Sequence, residues 1–510
     1  MKLLCFSGLR FESHHAGGEV VIRTVPYCLN ADGPMKADVI CQKHPTGFDS
    51  CPLCVIKGES VTSLSGKGST RVKVLTIGAD GDMEDCEPRV GAQLTEGIRA
   101  PGQTGYPSMQ RLLGFDVYQC SSIDSMHVVF RGVFRAIFTL WFFTPGHPSY
   151  VGPPGRKLAD SILSGIRHME SIMRGCRMVD SHKDWKASEF RNWGYLYSPI
   201  VMEALVRKGK FAQKFYAHWL LLLEGVALLD SEAITVSMIE RADFCLRRFV
   251  MLIPELYGKN ICTTNYHLLL HLPESVRFLG PLWRTSLFAH ESFNQMFLKA
   301  RRPGSKGQLF QIIERFQWIA AIPKLYSLLK PLKPDSPAYK IADKLTFNSI
   351  SSASAKPIGK ALKIARATLQ ASWNAINGDT VADELARVVS SDGYVDTFFR
   401  ARIKGKVYTT AEFDSRKEGK MRRSVLGFDS NFGEIVSIIV SEDVVYLAVN
   451  LFSMLSPESC TITLPYAGQF NKSNQIIIRK ALDLKCFQAL LVESDNLSIV
   501  ARLPNYMESS

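Results

Sequence analysis

Cys51-Pro52-Leu53-Cys54 lies between Gly47-Phe48 and Gly58-Glu59, and the reading of this tetrapeptide decides how the chain is put together. Two thiolates on a tight turn converge on one tetrahedral ion, and a zinc site then needs two further ligands. One pair is close by: Cys41 and His44 give Cys-x2-His-x6-Cys-x2-Cys. The other is distant: His267 and His271, in Asn-Tyr-His-Leu-Leu-Leu-His, fall one helical turn apart on one face. The spacing permits either. Without a metal, the same residues read as ordinary buried thiols and satisfied core histidines.

Upstream of the cysteines, residues 19–30 (Glu-Val-Val-Ile-Arg-Thr-Val-Pro-Tyr-Cys-Leu-Asn) read as a buried strand ending at the turn Ala31-Asp32-Gly33-Pro34. A strand end is where a carboxylate can face a site. Downstream, Ser122-Ile123-Asp124-Ser125-Met126-His127 opens a helix running to about Phe142. Asp124 can cap its free N–H groups. His127, one turn later, shares that face and can approach a phosphate or a metal-bound carboxylate. From Asp124 to about Gly280 the apolar periodicity is helical, with amphipathic segments over 211–229 and 233–253. His290-Glu291-Ser292-Phe293-Asn294-Gln295-Met296-Phe297 starts another helix, with Glu291 twenty residues past His271 and Lys299, Arg301 and Arg302 following. Alone, Glu291 reads as a first-turn acid facing the helix dipole.

The stretch Arg301-Arg302-Pro303-Gly304-Ser305-Lys306-Gly307 interrupts the helices, and a Pro-, Ser- and Lys-rich linker falls near 331–355. After about residue 390, alternating runs such as Ile435–Val440, Val444–Val449 and Ile476–Ile478 predict a small antiparallel β domain. The 510 residues, 46% apolar and 21% charged, suffice for about two to four domain cores. A net charge of +13 favours a polyanionic partner. The twelve scattered cysteines point to a reducing compartment rather than a disulfide scaffold. The longest apolar stretch, Val128 to Phe143, is broken by Arg131 and Arg135, so a soluble, intracellular protein without a membrane partner is expected.

In order, these pieces are a strand with Asp32-Gly-Pro, Cys51-x2-Cys54 nineteen residues on, Ile-Asp124-x-x-His127, a long helical block, His267-x3-His271, and Glu291-Ser-x-Asn on a basic helix. Linking text includes Trp185-Lys-Ala-Ser-Glu-Phe-Arg-Asn192 and Gly280-Pro-Leu-Trp283. The ordered set, over roughly residues 20–310, resembles the eukaryotic DDE cut-and-paste DNA transposases of the CACTA-like and related families. It resembles more distantly the RNase H-like core of the V(D)J recombinase.

The resemblance implies an α+β fold: a partial RNase H-like core with the CxxC half-site (1–123), interrupted by an all-α insertion (124–280). The catalytic core then returns with its acidic helix (281–330), followed by a linker with helices (331–389) and a small C-terminal β domain (390–510). It makes Asp32 the second acid and Glu291 the third, with Asp124 and His127 supporting them. Cys51, Cys54, His267 and His271 become a structural Zn2+ clasp. Mg2+ or Mn2+ serves catalysis, on DNA held by Lys299, Arg301, Arg302 and Lys306, in a nuclear homo-oligomer. Lys404, Lys406, Arg416, Lys417, Lys420, Arg422 and Arg423 add to the DNA affinity expected. The family's first acid lies on an earlier strand, whereas residues 1–31 contain no Asp and only Glu12 and Glu19. The chain therefore reads as N-terminally truncated or decayed, and a domesticated, non-cleaving DNA- or chromatin-binding protein is the alternative. A zinc-stabilised interaction protein with no DNA role is the third reading.

Overall fold

The computed structural model is a mixed α+β structure. It describes residues 7–300 and 355–505 apart from short gaps, the longest being 75–86, 378–384 and 456–462, together with scattered positions between 310 and 336. Its helical part is organised around one apolar rod, the π-helical stretch Met126–Phe134 running straight into α2 (Arg135–Phe143; α1 is described below). Val129, Phe130, Val133, Phe134, Ile137, Phe138, Trp141 and Phe142 are all fully buried. By length and composition this rod is apolar enough to cross a bilayer, but here it is the core element that other helices cover.

Those helices are α3 (Gly152–Gly165), α4 (Ala187–Asn192), a second π-helical turn (Trp193–Tyr197), α5 (Ser198–Arg207), α6 (Gln213–Leu229) and α7 (Val236–Tyr257). The last two match the amphipathic segments read from the sequence, and Thr235 starts α7 by accepting a bond from the Met238 amide at 3.3 Å. Aromatic edges lock the layers: Trp219 of α6 meets Phe134 and Trp141 at ring separations of 4.8 and 5.1 Å. The chain then runs through α8 (Thr264–Leu268), α9 (Leu272–Leu279), α10 (Leu282–Thr285) and α11 (Phe288–Ala300).

The N-terminal region departs from a continuous buried strand over 19–30. Among the described residues, Gly18–Ile22 pairs only with Leu9–Ser13, in an antiparallel hairpin. Val25 and Tyr27 are exposed, and pairing resumes only at Leu29, in a single parallel bridge to Ser121. Pro26 explains the break, since it offers no N–H to a ladder. The chain then turns into α1 (Gly33–Val39), with Pro34 in the first turn.

The C-terminal region is an antiparallel sheet whose central strands are Val425–Phe428, Asn431–Ser441, Val444–Met454, Ala467–Lys480 and Leu497–Ala501, as the alternating runs predicted. Its long hairpin turns at Glu442-Asp443, both with positive φ (49° and 61°), the conformation that matches strand twist. On one face, Leu369 and Trp373 of α12 (Arg366–Asn377) pack on Ile439, Ala448, Ile476 and Ile478. Near its far edge the sheet joins the helical block outright: Leu464, Tyr466, Ala467, Leu490, Ile499, Ala501 and Leu503 belong to the same core as Trp219 and Phe134. The linker expected near 331–355 lies outside the described residues, save Ser336 and Ala355.

A methyl group on Gly194 would sit 2.0 Å from Cε2 of Phe134, a ring already wedged against Trp219. Gly194→Ala is therefore expected to destabilise the chain by about 1–3 kcal/mol or more, whereas Gly165→Ala, with nothing near its Cβ, should stay within about 0.5 kcal/mol of wild type. Urea unfolding of both variants checks this, and equal effects would contradict the packing described.

Candidate metal centre and acid site

Four ligand atoms from two distant parts of the chain converge in the buried interior. Cys51 and Cys54 lie on the loop after α1, His267 on α8, and His271 at the end of the 3-10 turn Leu269–His271 that follows. Cys54 Sγ is 3.2 Å from His267 Nε2, Cys51 Sγ is 3.5 Å from His271 Nε2, and the two Nε2 atoms are 3.0 Å apart. One ligand atom from each residue falls within 4.8 Å of all the others. Ligand bonds of about 2.0–2.3 Å imply tetrahedron edges of roughly 3.3–3.8 Å, so the four atoms already outline a zinc-sized shell. Burial, reinforced by the neighbouring His271, holds His267 well below its ordinary pKa, in the neutral form that ligates metals. At Cys51 burial pushes the thiol up. Hydrogen bonds from the Cys54 side chain and the Leu53 and Cys54 amides, with the charge of Arg89, outweigh it, and the net direction is down. Two sulfurs and two imidazoles are the donors a structural zinc site takes.

The nearby alternative is not assembled: His44 bonds Asp38 at 2.9 Å on the surface, and neither it nor Cys41 joins the cluster. The cluster is braced by a residue that no motif announces. Arg89 Nε donates to the carbonyls of both Cys51 (3.0 Å) and Cys54 (2.9 Å), fixing the turn on which the two sulfurs converge. Thr264, three residues before His267, donates to the Pro45 carbonyl at 2.7 Å and meets the Ser50 hydroxyl at 3.2 Å, so α8 is tied to the cysteine loop beside the metal shell.

A second convergence lies next to it. Asp124, 3% exposed, accepts from the amides of Met126 (3.1 Å) and His127 (3.2 Å), capping the π-helical rod as its position suggested. It also accepts from the amide of Leu287 at 2.9 Å, and thereby fixes the entry to α11. Its Oδ2 is 2.5 Å from His127 Nδ1, while His127 Nε2 faces Glu291 Oε1 at 3.4 Å. The bond to Asp124, opposed by burial and aided by the charges of Asp124 and Glu291, raises the His127 pKa. The His127 ring thus links a buried acid to a half-exposed one, Glu291 being 44% exposed. Gly132 lets this rod touch α8: a Cβ there would meet Asn265 Nδ2 at 2.6 Å.

No family model, no curated protein and no solved structure matches this chain.

Asp32 is the N-cap of α1 and accepts from the Met35 amide at 3.0 Å. It forms no hydrogen bond or ion pair with Glu291, but its segment is laid beside that of Asp124. Leu29 bridges Ser121, and the Ser122 hydroxyl donates to Asn30 Oδ1 at 2.6 Å. Between the two acids sits Lys36, 7% exposed, whose ammonium donates to the Ser122 carbonyl. Burial pulls its pKa down from 10.5 to about 8, against the charges of Asp124 and Asp32. A small cavity beside this acid site is bordered by Lys36, Asp124, His127, Pro52 and Thr264.

The residues read as DNA-binding are only partly visible. Lys299 lies in α11, whereas Arg301, Arg302 and Lys306 lie outside the described residues, as do Lys417 and Lys420. In the C-terminal sheet Arg422 pairs with Glu434 at 2.6 Å and Glu493 at 3.6 Å, Arg416 with Glu412, and Lys404 bonds the Leu484 carbonyl at 3.1 Å. These cations have partners within the protein, which weakens their expected share in holding DNA.

The purified chain is expected to carry one zinc. His267→Ala with His271→Ala should lose it, Cys41→Ala with His44→Ala should keep it, and Arg89→Met should weaken binding by about 10–100-fold. Metal analysis and chelator competition decide, and zinc retained by the His267/His271 variant would refute the assignment.

Lys36 gives a pH signature. Between pH 8 and 10.5 the unfolded chain holds a proton that the folded chain has released, so stability rises with pH across that window, while below it the cost of burying the charge is fully present. The difference in unfolding free energy between wild type and Lys36→Met should therefore shift in favour of wild type by roughly 3 kcal/mol from the lower to the upper edge. Urea unfolding at both pH values tests this, and a pH-independent difference would contradict it.

Proposed function

We propose that this chain is a transposase-derived DNA-binding protein, whose full enzymatic form cuts and joins DNA at an RNase H-like core. In this reading the all-α block is an insertion into that core, pinned to it by zinc at Cys51, Cys54, His267 and His271. The observation that carries the reading is the meeting of Asp124, His127 and Glu291, brought together across more than 160 residues of chain, next to a Cys2His2 cluster in the same order along the sequence as in the transposases it resembles.

Carboxylates in such enzymes hold two Mg2+ or Mn2+ ions that activate water or a DNA 3′-hydroxyl and stabilise the leaving oxygen. In this chain Glu291 is the exposed acid available to an ion, and His127, held by Asp124, fixes its orientation. Asp32 is the second candidate ligand, beside Asp124 across the Leu29–Ser121 bridge. Asp124 itself is committed: its oxygens accept from three amides and an imidazole, so its role is to position rather than to ligate. Lys299, Arg301, Arg302 and Lys306, which follow Glu291 in the sequence, serve in this reading as phosphate contacts, which hold DNA without reading its sequence. A nuclear location and a homo-oligomer follow from the same reading.

A second reading, a DNA- or chromatin-binding protein that does not cleave, is favoured by the commitment of Asp124. With Asp32 and Glu291 alone, two ions about 3.5–4 Å apart are poorly fixed. The 510-residue chain is therefore expected to bind duplex DNA but not to nick it in Mn2+. Arg301→Ala with Arg302→Ala should weaken binding to unrelated duplexes alike and flatten the slope of log K against log salt by about 2. Metal-dependent cleavage abolished by Glu291→Ala would establish the enzymatic form instead. A chain that neither binds nor cleaves DNA would overturn both readings.

A further inference from the structure

The helix that carries Glu291 is supported from an unexpected direction, the C-terminal end of the described chain. After the strand Leu497–Ala501 the chain leaves the sheet and enters the helical block. Asn505 there is 0% exposed. Its backbone carbonyl and its Oδ1 each accept from Arg191 Nη2 at 3.2 Å, and its Nδ2 donates to the Asp230 carbonyl at 2.7 Å. Asp230, equally buried, accepts from the Tyr195 hydroxyl at 3.1 Å and lies 3.9 Å from Arg191 Nε. A buried guanidinium and carboxylate are tolerated only when their remaining donors and acceptors are filled. Asn505 supplies two acceptors to the guanidinium and a donor to the Asp230 main-chain carbonyl, from more than 270 residues away.

Two paths lead from this network to α11. Next to Asp230, the Ser231 carbonyl accepts from Trp283 Nε1 at 3.2 Å, on the short helix α10 just before α11. The Tyr195 ring meets Tyr466 of the C-terminal sheet at 5.4 Å and Phe130 of the π-helical rod at 5.8 Å. Phe130 in turn meets Phe288, the first residue of α11, at 5.9 Å. Arg191 belongs to the Trp185–Asn192 stretch, which the proposed chemistry leaves without a role.

We propose that Asn505 is a positioning residue for the acid site: seated between Arg191 and Asp230, it fixes Tyr195 and the Ser231–Trp283 bond, and through them the orientation of the Glu291 helix against His127. The inference rests on the acid-site reading above for its functional meaning, but the structural coupling stands apart from it.

The test compares Asn505→Ala and the near-isosteric Asn505→Asp with the wild-type 510-residue, zinc-loaded protein. Hydrogen–deuterium exchange should lose protection by roughly 3- to 30-fold in segments 126–134 and 287–296, with zinc content and exchange around Cys51–Cys54 unchanged. Mn2+ titration followed by electron paramagnetic resonance should weaken by a similar factor, which a merely structural role would not produce. Loss of protection confined to residues near Arg191 and Asp230, or spread evenly over the chain, would overturn the proposal. If the wild-type protein binds no Mn2+, the acid-site reading fails while the exchange pattern still decides the coupling. If Asn505→Ala does not fold, Tyr195→Phe, which keeps the ring and removes its bond to Asp230, carries the same exchange test.

Discussion

The clasp between Cys51-x2-Cys54 and His267-x3-His271 is the constraint on which the rest of the arrangement depends. It closes loops of 213 and 220 residues. The chain entropy lost in closing a loop of that length is about 5 kcal/mol, against about 10–16 kcal/mol for zinc in small structural sites. One zinc ion bound by these four residues would therefore outweigh the closure and leave a surplus to hold α8 against the cysteine loop. The protein adds its own support through the Arg89 clamp on the two cysteine carbonyls and the Thr264 bonds to Pro45 and Ser50.

What the clasp holds in place is the neighbouring acid site. α8 carries both His267 and Asn265, and Asn265 abuts the π-helical rod at Gly132, five residues from His127. The same rod begins at Asp124, which bonds the Leu287 amide and so sets where α11 starts. The metal cluster and the His127–Glu291 contact are thus two ends of one packed unit. Lys36, buried between Asp32 and Asp124, keeps two acid-bearing segments side by side at some cost in stability.

Much of this was legible in the sequence, for physical reasons that differ from part to part. Cysteine and histidine spacings are legible because a metal shell demands a tight turn and a helical repeat. The amphipathic helices over 211–229 and 233–253 and the alternating C-terminal strands are legible because burial imposes period. Composition and spacing left the choice between Cys41/His44 and His267/His271 open, and only the resemblance to a transposase family favoured the distant pair that the fold brings together. The strand expected over 19–30 was a misreading of apolar content, since Pro26 ends the ladder and Val25 and Tyr27 face outward. Arg89, Lys36 and Asn505 were illegible because each acts through partners 35 to 314 residues away. The cations of the C-terminal sheet looked available in sequence, but Arg422 has Glu434 and Glu493 as neighbours only once the strands pair.

X-ray absorption at the zinc edge of the purified protein tests the central claim most directly, because the two candidate shells differ in composition. The distant clasp requires two sulfur ligands at about 2.3 Å and two nitrogen ligands at about 2.0–2.1 Å. A shell of three sulfurs and one nitrogen, as Cys41, His44, Cys51 and Cys54 would give, or a shell of oxygen and nitrogen alone, would contradict the account.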